Sequence, residues 1–177
     1  MTSTVQEINR ALREAGCDVD FDQLQSAEAT ITPAIAQILL DLLPTGEVHD
    51  VSINLFFGIA AGRSKSDEVW WQMHSLVASG RYHGDAFLGL VNGLLNSFSW
   101  TAAKGDALLG VYLDPSLDEQ RSIFIVALRK FPRAQRDEIL ERAARDPVLR
   151  PDVDEFLKRR LRRVAARKAG GSSDPRE

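Results

Sequence analysis

The chain has 177 residues, 44% of them hydrophobic and 27% charged, a balance that supports one domain with a real core and excludes disorder throughout. A single cysteine, Cys17, excludes an intrachain disulfide and a thiolate metal cage, as expected of a protein in the reducing cytoplasm. The net charge of −3 hides an asymmetry: residues 1–131 hold 9 Lys and Arg against 16 Asp and Glu, whereas residues 132–177 hold 13 against 9.

The opening MTSTVQEINRALREAG carries Glu7 and Arg10 where a secretory signal needs an apolar run. Val5, Ile8, Leu12 and Ala15 instead form one stripe of an amphipathic helix that Gly16 stops. The acidic stretch CDVDFDQLQSAEATI is less periodic and reads as a connector with at most one short helix, docked by Val19, Phe21 and Leu24. Thr32-Pro33 then reads as an N-cap followed by proline at the first helical position, where its missing N–H costs nothing. Ile35, Ile38, Leu39, Leu42 and Leu43 continue that helix to the break Pro44-Thr45-Gly46, and EVHDVSINLFFGIAAG supplies its antiparallel partner.

The same plan returns three times. Ser66-Asp67 caps VWWQMHSLVA, Ser79-Gly80 breaks it, and HGDAFLGLVNGLLNSF follows, with Leu55, Gly58 and Ile59 falling on Leu90, Gly93 and Leu94 at a shift of 35. AAKGDALLGVY, the break Asp114-Pro115 and DEQRSIFIVALRKF make a third pair. AQRDEILERAA, the break Asp146-Pro147 and PDVDEFLKRRLRRVAARK make a fourth, with Leu117 on Leu149 and Phe124 on Phe156 at a shift of 32. Four hairpins over 32–63, 66–99, 102–131 and 134–168, behind an N-terminal helix and connector, predict an all-α repeat array in a single domain 1–168, with 169–177 as a tail. No segment reaches ~18 uncharged apolar residues, and Asn92 and Asn96 interrupt the longest charge-free stretch, so no membrane contact is expected.

The chain resembles the HEAT-repeat (HEAT or armadillo-like) proteins found as short proteins in bacteria. The likeness rests on ALREAGCDVDFDQLQ, AIAQILLDLLP, HDVSINLFFGIA, GRYHGDAFLGLVNGLL and DPVLRPDVDEFLKRRL, and covers Val5 to about Arg167. Asp50-Val51 keeps the family's second-helix pattern, while Ser52 stands where the family often has Arg and Phe56-Phe57 replace small residues. The resemblance implies a right-handed α-solenoid acting as a scaffold or binding module, with no shared catalytic set.

The residues themselves offer no enzyme and no cofactor site. His49, His74 and His83 lack the spacing that sets two ligands on one helical face, so no metal is expected. GIAAGRSKS has three residues between Gly58 and Gly62 where a phosphate loop needs four, and reads as a helix end with a basic loop. Gly58 and Gly93 are expected to admit a close helix approach. No GxSxG elbow is present, and the pairs Asp67-Glu68 and Asp137-Glu138 fit first helical turns. Of Trp70 and Trp71, about 100° apart on a helix, one is expected in the core and the other at least partly exposed, as packing or as an interface anchor. Phe98 and Trp100 read as packing.

Two functions follow. In the first, the protein is a non-enzymatic module, of immunity or adaptor type among others, that grips a protein partner on its second-helix surface through Asn54, Trp71, Asn92 and Asn96. In the second, LKRRLRRVAARK, with seven basic residues and no acid, binds nucleic acid through Lys158, Arg159, Arg160, Arg162 and Arg163, while Leu157, Leu161 and Val164 face the other way.

Overall fold

The computed structural model describes residues 5–26, 28–43 and 51–170, with side chains for all of these except 51–53 and 167–170. Every regular element among them is helical: α1 (Val5–Glu14), α2 (Phe21–Leu24), α3 (Pro33–Asp41), α4 (Val51–Arg63), α5 (Asp67–Ala78), α6 (Gly84–Ser97), α7 (Ala102–Tyr112), a 3₁₀ helix (Pro115–Lys130), α8 (Arg133–Ala143) and α9 (Arg150–Gly170). The Pro44-Thr45-Gly46 break, His49 and Asp50 lie outside the described residues.

Local chemistry accounts for most of the boundaries. Thr32 Oγ1 accepts a hydrogen bond from Ile35 N at 3.2 Å, capping α3 ahead of Pro33. Ser66 Oγ does the same for Val69 N at the start of α5. Gly16 and Gly80 end their helices at φ of +74° and +64°, a region open to glycine without the Cβ penalty. Ile8 and Leu12 are buried on α1, and Phe21 and Leu24 bury the short α2, whose first N–H group bonds Asn9 Oδ1 at 2.7 Å.

The chain divides into two compact units, Met1–Val111 and Tyr112–Glu177. The boundary falls inside the third hairpin, because its two halves take different partners. The α7 half is tied to α5: Lys104 Nζ meets Asp67 Oδ1 at 2.7 Å, and His74 Nε2 lies 3.1 Å from the Ala107 carbonyl. The other half is tied to the loop before α9, where Arg121 reaches Asp146 at 2.7 Å.

In the first unit, α3 packs on α4, α5 on α6, and α4 directly on α6. That last contact is backbone against backbone. A Cβ added at Gly58 would collide with Gly89 and Leu90, one at Gly62 with Gly93, and one at Gly93 with the Gly58 carbonyl. The close approach expected of Gly58 and Gly93 is thus present, with Gly62 and Gly89 completing it. Trp70 is wholly buried beside the crossing; its indole N–H donates to the Leu94 carbonyl at 3.1 Å, His74 stacks on the ring, and Lys104 Nζ lies 5.0 Å from its centroid.

In the second unit the two Asp-Pro breaks share one geometry. Asp114 Oδ1 accepts from Ser116 N, and Asp146 Oδ1 from Val148 N, both at 2.9 Å. The equivalence ends after the loops, since α9 is an α-helix and the matching segment of the third hairpin is a 3₁₀ helix. Its buried Arg121, Phe124 and Ala127 recur every three residues, which a 3₁₀ helix places along one edge. Asp118, at φ 47° and ψ −136°, interrupts it in a region that side chains rarely adopt.

Candidate functional site

The second-helix asparagines do not share one exposed stripe. Asn54 is 3% exposed, a correction to its place on a binding surface: it lies one turn before Gly58, where α4 presses on α6, and its carbonyl would sit 2.8 Å from a Cβ at Gly89. On α6, Asn92 is half-buried and Asn96, one turn later, is exposed. Trp71 is 40% exposed beside the buried Trp70, with its ring edge-on to Trp70 and His74, matching the expected split of the pair.

Two of the residues weighed for metal or phosphate chemistry, His74 and Arg63, make contacts within the fold. His74 is held between Trp70 and Ala107, and His83 stands exposed at the N-cap position of α6. Among the described residues no group of three or more His, Cys, Asp or Glu could hold a metal. Arg63 closes α4 by donating to the Leu24 carbonyl at 3.1 Å and to the Ala29 carbonyl, so the end of α4 clamps the connector. Trp100 lies against Gly105, where a Cβ would strike its ring, and Phe98 is buried; both pack as expected.

The strongest concentration of charge is in the second unit. A groove of about 270 Å³ is lined by Arg129 from the 3₁₀ helix, Arg136 from α8, and Phe156, Arg159, Arg160, Arg163 and Val164 from α9. Helical spacing explains the selection, because Phe156, Arg159, Arg160 and Arg163 follow the three- and four-residue steps of a single α9 face. Lys158 and Arg162 fall outside that set, one turn apart on another side of the helix. The five basic positions singled out from sequence therefore divide, three into the groove and two away from it.

Carboxylates hold part of the groove in place. Asp137 on α8 takes Arg160 at 3.1 Å, with Arg133 and Arg136 each at 3.7 Å; the hydrogen bond from Arg160 and the neighbouring guanidinium charges hold its carboxyl below the usual range. Asp137 thus ties α8 to α9 rather than serving the helix start. Glu155 takes Arg159 at 2.8 Å and is likewise held low, chiefly by that hydrogen bond. Arg129 lies 6.0 Å over the Phe156 ring. Arg136 has an 18% exposed side chain, and its buried Nε has no hydrogen-bond acceptor, Asp137 Oδ1 being too far at 3.7 Å. Among the described residues, Arg163 meets no carboxylate within ion-pair distance. Arg129, Arg136 and Phe156 escaped the sequence reading of the site because they come from three elements; the positive balance after residue 131 signalled only Arg136 among them.

The apolar side of α9 is largely uncovered. Leu157, Leu161 and Val164 do not pack inward; they are 38%, 69% and 47% exposed. The helix docks through Leu149 and Val153 near its start, and from Leu161 to Ala166 every residue is exposed. The groove and this uncovered apolar row adjoin at Val164 and together offer attraction for an anionic, partly apolar partner. Among the described residues no helix is long and apolar enough to cross a membrane. No family model, no curated protein and no solved structure matches the chain.

Proposed function

We propose that this protein is a non-enzymatic interaction module, built on HEAT-like helical hairpins, that binds a protein partner through α9, the second helix of the last hairpin. The observation that carries this is the exposed row of Leu157, Leu161 and Val164 set among arginines. Exposed apolar groups in a polar rim are the usual composition of a protein contact, and Arg is enriched there. The repeat reading draws support from the direct packing of α4 on α6 and from the shared geometry of the two Asp-Pro loops. Trp71 and Asn96 are secondary candidates on the first unit. A crosslinked pull-down from source cells with nuclease-treated lysate tests the reading. A specific protein recovered by the natural chain and lost with Leu161→Asp is expected; repeated recovery of the chain alone overturns it.

Nucleic-acid binding is the second reading, and the observation favouring it is the convergence of five arginines on one groove. It predicts binding that weakens steeply with salt and disappears when Arg159, Arg160, Arg162 and Arg163 become Ala. Undiminished binding in that variant removes it.

A further inference from the structure

We infer that the partner surface received by α9 is an acidic amphipathic helix, whose apolar seam lies on Leu157, Leu161 and Val164 and whose carboxylates enter the arginine groove. This rests on the protein-binding reading above and states the chemistry of the partner. The three apolar residues are spaced by four and three positions, so they form one stripe about 10 Å long, or two helical turns. A partner with apolar residues at matching i, i+3 or i+4, and i+7 positions covers such a stripe. Lys158 and Arg162 lie beside it on one flank by helical spacing, and the groove opens at Val164 on the other. Cations on both flanks of an apolar seam call for a partner with acids on both flanks of its own.

The groove distinguishes this occupant from a flat anionic surface. Arg136 lines the groove from a recessed position, its side chain 18% exposed, and a carboxylate at the end of a side chain can enter there where a planar surface cannot. Arg159 and Arg160 are already oriented by Glu155 and Asp137, whereas Arg163 and Arg129 meet no carboxylate among the described residues and are open to the partner's. Nucleic acid would use the arginines but leave the leucines in water. The apolar row therefore favours a peptide over a polyphosphate.

The test uses the full chain and a labelled helical peptide of about four turns, with leucines at i, i+3 and i+7 and glutamates on both flanks, read by fluorescence anisotropy. The inference expects at least roughly tenfold weaker binding of a scrambled peptide of the same composition, and a similar loss with Leu161→Asp, whose exposed site leaves folding intact by circular dichroism. Arg129→Glu with Arg163→Glu should also lose roughly tenfold, recovered when groove-side glutamates of the peptide become lysine. Equal binding of ordered and scrambled peptides overturns it, because charge alone would then suffice. Tighter binding to single-stranded RNA or to phosphatidylserine vesicles than to the ordered peptide also overturns it. A copurifying partner that ignores Leu161→Asp leaves a protein-binding module while removing this site. Ordered-peptide binding with no cellular partner leaves the site while removing the proposed function.

Discussion

Gly58, Gly62, Gly89 and Gly93 let the α4 and α6 backbones approach more closely than a methyl group permits. Alanine is the better helix former by about 1 kcal/mol, so the sign of a Gly→Ala change depends on which effect wins. At Gly93 the new Cβ meets the Gly58 backbone, which cannot rotate away, and Gly93→Ala is expected to destabilise by about 1–3 kcal/mol in urea unfolding. At Gly110, inside α7, a Cβ meets nothing, and Gly110→Ala should stabilise by roughly 0.5–1 kcal/mol. Equal effects at the two sites would mean that the crossing is not tight. Asp118 is the opposite case, a side chain where glycine fits better. Its φ and ψ predict that Asp118→Gly raises the melting temperature, relieving about 1 kcal/mol or more.

Among the elements, carboxylates hold the second unit together. Arg121, itself buried, reaches Asp146 at 2.7 Å and donates from Nε to the Asp118 carbonyl at 3.0 Å, so one guanidinium spans the 3₁₀ helix and the loop before α9. Asp146 is held below the usual carboxylate range, first by the hydrogen bond from Arg121 and then by its loop N–H groups. Asp114, Asp137 and Glu155 are depressed in the same direction by backbone or arginine hydrogen bonds. A depressed folded-state pKa contributes stability that is fully present above the unfolded value, near 4, and lost as pH falls through the folded value. Thermal melts should therefore be flat above about pH 5 and fall steadily on acidification below about pH 4. Asp146→Asn should lower the neutral-pH melting temperature and flatten that acid slope. Burial acts the other way on Tyr112, pushing its phenol well above the ordinary range, so Tyr112 stays neutral throughout this experiment.

Across the whole molecule the charge is partitioned. Residues 1–111 hold 6 Lys and Arg against 13 Asp and Glu, and residues 112–177 hold 16 against 12, a division that follows the two compact units. A chain of net −3 would be expected to flow past a sulfonate resin at pH 7 if its charge were uniformly spread. Concentrated guanidinium in the groove predicts retention at low salt instead, with release as ionic strength shortens the screening length toward ~8 Å. Arg159→Glu with Arg163→Glu should abolish that retention. Unchanged retention in the variant would place the binding charge elsewhere.

The sequence by itself determined the helices, the caps at Thr32 and Ser66, the glycine stops and the Asp-Pro loops. These depend on hydrogen bonds that reach two to four residues and on a 3.6-residue apolar period, so the information is local. It also located the close approach at Gly58 and Gly93 and the burial of one tryptophan beside an exposed neighbour. Only the tertiary structure decided which face each helix turns inward. Asn54 looks like a surface residue within an apolar helix, yet α6 covers it, while Leu161 looks like a core residue and has no cover. The groove is of the same kind: Arg160 meets Asp137 across 23 residues, and Arg129 and Arg136 join α9 from separate elements. Such meetings depend on how packed helices align, and helical periodicity within a segment carries no record of the neighbour that segment will find.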